Sequence, residues 1–381
     1  MTPSILIVAG ENSGDQHGAR LVQAFRKHHS SSRFIGIGGK HMASEGVDLL
    51  YSVEDLGLVG IFEVLSHLPR IRKMLRSLSE FARKTKPDAA VLIDSPDFNL
   101  RLAKKLNGLS IPILYYISPT VWAWRKGRLK TIKRIVHKML LIFPFEESLY
   151  QQSGIPAVYV GHPLKEIREP VMDREDFLRK YALDGNQRLI AILPGSRRAE
   201  IQAHMPVLCE VIRRLEGEAK AQHLVLLADP IEQAYVLKFF DSQSKIPLFL
   251  KEDRRTALAH SDLALAACGT SNLEAALLRT PVVAFYRLSP LTYLVAHRLV
   301  KIPDYSIVNI LAGKKVIPEL IQKDFTPENL LHETRNILWN QEVRETMLSQ
   351  FEAVDRILGD KSASENAAAE LAHLIEQDSQ S

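Results

Sequence analysis

DLALAACGTSNLEAALLRTPVVAFYR, the stretch from Asp262 to Arg287, passes from apolar strand to tight turn to helix to apolar strand without interruption. Leu263 to Ala267 is short, apolar and followed by a glycine, the pattern of a buried parallel strand; Asn272 to Leu278 has helical composition, and Thr280-Pro281 ends it. Gly269, Thr270 and Ser271 therefore stand where a strand meets a helix N-terminus. Backbone N–H groups and the positive end of the helix dipole meet there, and small side chains let a phosphate come close. Glu274 follows one turn in. Ser271-Asn272-Leu273-Glu274 also fits S-x-x-E, a capping box in which Glu274 only satisfies a backbone donor. Taken alone, the stretch leans toward the cap.

The same strand-turn-helix pattern recurs on both sides. Ser4 to Ala9 is an apolar strand followed by Gly10-Glu11-Asn12-Ser13-Gly14-Asp15 and a helix around Ala19 to Lys27. The loop is not G-x-G-x-x-G, which removes the main support for a dehydrogenase. Further strands are predicted at Arg33 to Ile37, Ala89 to Ile93, Ile113 to Ile117, Lys138 to Ile142 and Val158 to Val160. After a polar interval the pattern restarts at Leu189 to Leu193, His223 to Ala228, Pro247 to Leu250, Leu263 to Ala267 and Val282 to Tyr286. Strands alternating with helices predict α/β architecture: two Rossmann-like domains, each with a parallel sheet covered on both faces. The expected division is 1–163, 164–350 and a helical C-terminal segment 351–381, with Ala363 to Ile375 as the last helix and a frayed polar tail from Glu376.

Composition agrees with two domains. The chain has 381 residues, 46% hydrophobic and 24% charged, enough for more than one core. A net charge of +5 admits phosphorylated, lipidic or nucleic-acid partners, so the placement of the basic residues decides. Cys209 and Cys268 are too few and too far apart for a disulfide framework or a zinc site. The N-terminus enters a strand without a basic leader, and no run approaches the roughly 20 apolar residues a membrane span needs. The expectation is a cytoplasmic protein.

Open α/β sheets bind ligands beyond the carboxyl ends of their strands. Leu193-Pro194-Gly195-Ser196-Arg197 leaves one such strand, and its backbone donors and arginine fork suit a diphosphate. Two anion-shaped loops on one sheet edge, this and Gly269 to Glu274, favour a nucleotide over capping alone. In the first half, Asp94-Ser95-Pro96-Asp97 puts two carboxylates at a strand end. Asp97 reads equally as the N-cap of a helix from Phe98 or as a general base for an attacking hydroxyl. A metal at Asp94 and Asp97 lacks a nearby third ligand. Glu11 and Ser13 are expected to line the same cleft, with Asp15 as a loop cap.

Two basic stretches remain. Trp122-Ala123-Trp124-Arg125-Lys126-Gly127-Arg128 sets two tryptophans among cations, and Ile61 to Leu78 mixes Leu65, Leu68, Ile71, Met74, Leu75 and Leu78 with Arg70, Arg72, Lys73 and Arg76. Each reads as a contact for an anionic membrane or a phosphorylated lipid, or as an ordinary solvated helix face. The discontinuous basic residues speak against nucleic acid.

At Gly10–Asp15, Asp94–Asn99, Ser118–Arg125, Phe143–Glu146, Gly161–Pro163, Leu193–Arg197, Gly269–Glu274 and Asn309–Gly313 the sequence resembles the lipid-A-disaccharide synthases, bacterial glycosyltransferases of the GT-B type. The resemblance spans nearly the whole chain. It implies transfer from UDP-2,3-diacylglucosamine to 2,3-diacylglucosamine 1-phosphate with inversion, no cofactor or metal, and peripheral association with the inner face of the inner membrane. It further implies C-terminal helices that cross back to the first domain, in some members exchanged between the subunits of a homodimer. It assigns Asp97 as base, Arg197 to the UDP diphosphate, Glu274 to the ribose and Asn309 to the donor site, with Trp122 and Arg125 on the acceptor side. Two other readings stay open on the residues: a UDP-N-acetylglucosamine 2-epimerase, which has no need of the basic aromatic stretches, and a non-catalytic sugar-nucleotide binding protein.

Overall fold

The computed structural model describes residues 2–56, 61–125, 127–167, 172–218, 221–241, 246–289, 293 and 302–378. The chain divides into two compact units, Met1–Glu166 with Leu358–Ser381, and Ile167–Ile357.

In the first unit the elements run β1 (Ser4–Ala9), α1 (Asn12–Arg26), β2 (Arg33–Gly38), α2 (Lys40–Ser44), β3 (Asp48–Ser52), α3 (Val53–Leu56), α4 (Ile61–Thr85), β4 (Ala89–Ile93), α5 (Pro96–Asn107), β5 (Ile113–Tyr116), α6 (Arg128–Ile135), β6 (Lys138–Leu141), α7 (Glu146–Gln152) and β7 (Ala157–Tyr159). Among the described residues the strands form one parallel sheet in the order β3-β2-β1-β4-β5-β6-β7. Ile5 to Ala9 and Ala89 to Ile93 are fully buried, as continuous apolar runs covered on both faces must be.

The second unit runs α8 (Arg174–Lys180), β8 (Arg188–Leu193), α9 (Arg198–Glu218), β9 (Ala221–Leu226), α10 (Gln233–Leu237), β10 (Leu248–Leu250), α11 (Arg254–Ala259), β11 (Leu263–Ala267), α12 (Thr270–Leu277), β12 (Val282–Tyr286), α13 (Ile307–Ala312), β13 (Glu319–Ile321), α14 (Pro327–Trp339) and α15 (Gln341–Leu358). Its sheet is also parallel, in the order β10-β9-β8-β11-β12-β13. The two sheets share one strand plan, with β8 in the place of β1 and β11 in the place of β4. α16 (Ala363–Asp378) then returns to the first unit. Ala363, Ala367, Ala368 and Leu371 are buried in that unit, and Lys27–Glu365 (2.9 Å) and Lys138–Glu370 (2.5 Å) pair it electrostatically.

Several details differ from expectation. The first unit extends to Glu166 rather than 163 and resumes at Leu358 rather than 351, because α15 runs unbroken to Leu358. β3 and β13 are edge strands that apolar patterning does not announce; β3 is mostly exposed and β13 is three residues long. α1 starts at Asn12, so Ser13 and Asp15 are helical, and Glu376 to Asp378 continue α16. Buried Asp15 takes the N–H groups of Gly39 (2.6 Å), His41 (3.0 Å) and Met42 (3.0 Å), closing the turn from β2 into α2.

His204, fully buried on α9, joins the chain leaving β8 to the chain leaving β12. Its Nε2 accepts the Arg287 N–H (3.0 Å), which places the ring proton on Nδ1, where it donates to the Pro194 carbonyl (2.7 Å). Burial lowers its pKa, against the opposing pull of the Pro194 hydrogen bond and Glu200. The neutral ring's stabilisation is therefore complete above the ordinary histidine value of about 6.5. It is lost as pH falls through the lowered folded-state value, where a protonated Nε2 meets the Arg287 N–H donor to donor. Glutamine at this position keeps one donor and one acceptor without titrating. Thermal denaturation across acid pH should show the wild type losing melting temperature faster than His204→Gln; parallel curves would remove His204 from the acid response.

Candidate functional site

The loops that flank each topological switch point, after β1 and β4 and after β8 and β11, are where a doubly wound sheet offers a ligand site. After β1 and β4 they touch: a Cβ on Gly10 would lie 1.8 Å from the Ser95 Cβ, so only glycine fits there. Glu11 caps α1 by position, and Glu11 and Ser13 are exposed beside it.

The turn from β4 into α5 is left-handed at two consecutive non-glycine residues, Asp94 (φ 50°) and Ser95 (φ 41°). Each costs about 1–2 kcal/mol, and hydrogen bonds hold them there. The amide of buried Asn99 donates to the Ile93 (3.0 Å) and Asp94 (2.8 Å) carbonyls, and the Tyr115 hydroxyl donates to the Asp94 carbonyl (2.6 Å). Ser95 is the N-cap position and Pro96 opens the helix, so Asp97 lies inside the first turn and is not its cap. The Asp97 carboxylate is exposed, and its Oδ1 receives Arg125 (3.1 Å) and Arg128 (2.5 Å). Trp124 carries both guanidinium groups over its ring, at 4.3 and 5.5 Å from the centroid, while its Nε1 donates to Thr120 Oγ1 (2.9 Å).

Half-buried Trp122 packs edge-on against Phe145 (5.4 Å). Glu146, opening α7, is buried, and burial pushes its pKa up to about 8 against the pull of Ser118, Phe143 and Trp122. His162 is held down at about 3 and His17 at about 4, chiefly by burial. Neutral polar groups thus underlie the loops that carry the first unit's motifs.

In the second unit the Gly195–Arg197 loop is occupied from within. Glu200 Oε2 accepts the N–H groups of Ser196 (2.8 Å) and Arg197 (3.2 Å), its Oε1 accepts the Tyr286 hydroxyl (3.0 Å), and Arg197 Nη1 lies 3.6 Å from Oε1. A Cβ on Gly195 (φ 129°) would come within 2.7 Å of Glu200, so this turn needs glycine for space and conformation alike. The backbone donors expected to cradle a diphosphate are therefore already satisfied, leaving the exposed Arg197 side chain as that loop's cationic group.

α12 begins at Thr270 after Gly269, so Ser271 and Glu274 do not form a capping box. Asn272 does the capping: its Oδ1 accepts the Gly269 N–H (3.3 Å) and its amide faces the Ala266 and Ala267 carbonyls (3.5 and 3.4 Å). Freed from that role, Glu274 takes Arg255 Nη1 on Oε1 (3.0 Å), and the buried Nε and Nη2 of Arg255 have no hydrogen-bond partner among the described residues. Gly269 and Thr270 are exposed, and a Cβ at Gly269 would meet open space. Asn309 is buried and engaged within the second unit. Its amide donates to Ile317 (3.0 Å) and Glu319 (2.8 Å) and accepts from Val316 (2.8 Å) and Ile317 (3.0 Å), which engages the whole group in shaping the approach to β13. It is a positioning residue here, not a free donor to a ligand.

The basic stretches also sort differently. Ile71, Met74, Leu75 and Leu78 of α4 are buried in the first unit's core, while Arg72, Lys73 and Arg76 face out; Arg70 pairs with Asp55. Arg128 turns toward Asp97 over the Trp124 ring, and its side chain is only 14% exposed. The side chain of Leu68 and the whole of Lys126 lie outside the described residues. Glu200 and His204, spaced i, i+4 after a glycine turn, were legible as a pair facing back on their own loop; Tyr286 and Arg255 come from distant elements and leave no local signal.

Residues 5–373 match the family described as lipid-A-disaccharide synthetase. The lipid-A-disaccharide synthase of Myxococcus xanthus (strain DK1622) is 40% identical over 374 residues, 98% of each chain. Among solved structures, the UDP-GlcNAc 2-epimerase from Neisseria meningitidis bound to UDP-GlcNAc superposes with a TM-score of 0.67 at 12% identity, covering 98% of this chain and 100% of that one. A glycosyltransferase from Rickettsia africae gives 0.57 at 14%, covering 100% and 99%. Those two similarities establish the shared two-Rossmann fold and nothing about substrate. The match along nearly the whole length, together with a relative at 40% identity, places this chain in the lipid-A-disaccharide synthase family, glycosyltransferases of lipid A biosynthesis.

Proposed function

We propose that this chain joins UDP-2,3-diacylglucosamine to 2,3-diacylglucosamine 1-phosphate, releasing UDP and forming the β-1′,6-linked disaccharide with inversion. The observation that carries the reading is the Asp97 carboxylate, held out from a doubly pinned left-handed turn with Oδ1 engaged by two arginines. A base in this position takes the proton of the acceptor 6-hydroxyl as its oxygen attacks C1. The C1–O bond to the diphosphate breaks, and the negative charge developing on UDP is met by Arg197 and the N-terminus of α12 at Gly269, Thr270 and Ser271. Glu274, steadied by Arg255, takes the ribose hydroxyls.

The acylated substrates reside in membrane, and the outward face of α4 supports a peripheral attachment through Arg72, Lys73 and Arg76. Exchange of α16 between two copies is compatible with the short connection at Gly359 (φ 61°) that precedes it.

Purified protein given both substrates should yield the disaccharide and UDP by mass spectrometry. Asp97→Asn should cut turnover by about a hundredfold or more with UDP affinity unchanged in calorimetry; joint loss of turnover and UDP binding would argue against a base. Arg197→Ala should weaken UDP by about tenfold to a hundredfold, and an unchanged affinity would move the diphosphate away from that loop. Glutamine at Arg72, Lys73 and Arg76 together should weaken co-sedimentation with anionic vesicles by about a hundredfold. Undiminished binding would take this face out of the membrane contact.

A further inference from the structure

Two guanidinium groups meeting one carboxylate oxygen leave a positive charge unmatched. Arg125 and Arg128 both approach Asp97 Oδ1, and both lie on the Trp124 ring that Thr120 fixes. Stability does not call for this arrangement, because Asp97 is 70% exposed and an ion pair open to water contributes little. Both arginines sit on Oδ1, so that oxygen can receive a proton only after they let go of it. The planar forks of arginine fit phosphate oxygens as well as they fit a carboxylate, and a phosphate monoester brings nearly two negative charges to two cations. The stacking on Trp124 keeps both groups near Asp97 while they exchange one anion for another.

We propose that Arg125 and Arg128 clamp the phosphate of the acceptor sugar, and that its arrival draws both guanidinium groups off Asp97 and so releases the base. The inference rests on the acceptor reading above. Hydroxyl and phosphate stand on one pyranose ring, so a single bound sugar presents one to Asp97 and the other to the arginines. The hydroxyl proton then passes to the carboxylate, the oxygen forms its bond to C1, and the electron pair of the broken C1–O bond leaves with UDP. Without acceptor, Asp97 stays engaged and water at the donor is not activated.

The test compares the phosphorylated acceptor with the same sugar lacking phosphate. Wild-type kcat/KM should favour the phosphorylated acceptor by about thirtyfold or more. Arg128→Lys and Arg125→Gln should each erase most of that preference, chiefly through KM, while slow hydrolysis of the donor in the absence of acceptor rises. Inorganic phosphite added with the dephosphorylated sugar should raise turnover in the wild type more than in either variant. Unchanged preference in both variants, with UDP affinity retained, overturns the clamp. Product from neither acceptor with the wild-type protein overturns the acceptor reading, and the clamp with it.

Discussion

The buried amide of Asn99 fixes the geometry on which the first unit's chemistry depends. Its two N–H groups reach the carbonyls of Ile93 and Asp94, six and five residues earlier, which is possible only if the chain turns sharply between strand and helix. That requirement forces Asp94 and Ser95 into left-handed conformations, and the Tyr115 hydroxyl shares the load. Without a side chain at Gly10 the neighbouring loop can close over Ser95. Asp97 then emerges in the first helical turn with its direction already set, before any ligand arrives.

The second unit uses the same device. Asn272 directs its amide at the carbonyls of Ala266 and Ala267, again six and five residues earlier, at the strand that holds the equivalent place in the sheet. Its longer distances make for weaker bonds, and the joint is supported from the side instead. Glu200 and His204, one turn apart on α9, reach the chain at both neighbouring strand exits, through Ser196, Arg197 and Pro194 on one side and Tyr286 and Arg287 on the other. A carboxylate seated on a pair of backbone N–H groups imitates the anion such a turn would otherwise hold. The backbone donors of this loop are therefore satisfied within the protein, and the Arg197 side chain is the cation the loop exposes.

Much of this was legible in the sequence because buried parallel strands are continuous apolar runs, and because turns between strand and helix need small or capping residues. Central strands such as β1, β4, β8 and β11 follow from that rule, and so does the place of Asp97. Of the four edge strands β7 and β10 follow from it too, but β3 and β13 do not: β3 is largely exposed and β13 is a single short run of three residues. The amphipathic pattern of α4 indicated a helix correctly but not its partner, since an apolar stripe looks the same facing a core or a membrane. The polar groups of Asn309 and the backbone donors of Gly195–Arg197 have the chemistry of ligand contacts but are engaged within the fold. The partners of the Gly195–Arg197 donors and of Asn309 lie within ten residues, so the engagement is local; Tyr286, which reaches Glu200 from β12, is distant and leaves no local motif.

What separates the two joints is charge. α5 has Asp97 in its first turn, so its positive N-terminal end already faces a protein carboxylate; the first turn of α12 has no acidic residue, and Gly269 and Thr270 are exposed. A helix end without its own anion favours a ligand's anion, whereas one that carries a carboxylate has its positive end already matched. One structural joint, used twice, thus ends in different residues: matched on Asn99 and Asn272, Asp97 of the first stands where the second has Thr270. Displacement at an anomeric carbon needs one of each, a base for the incoming hydroxyl and a cationic seat for the departing diphosphate. The two helix ends differ in this respect: Asp97 completes that of α5, and no acidic residue of its own first turn completes that of α12.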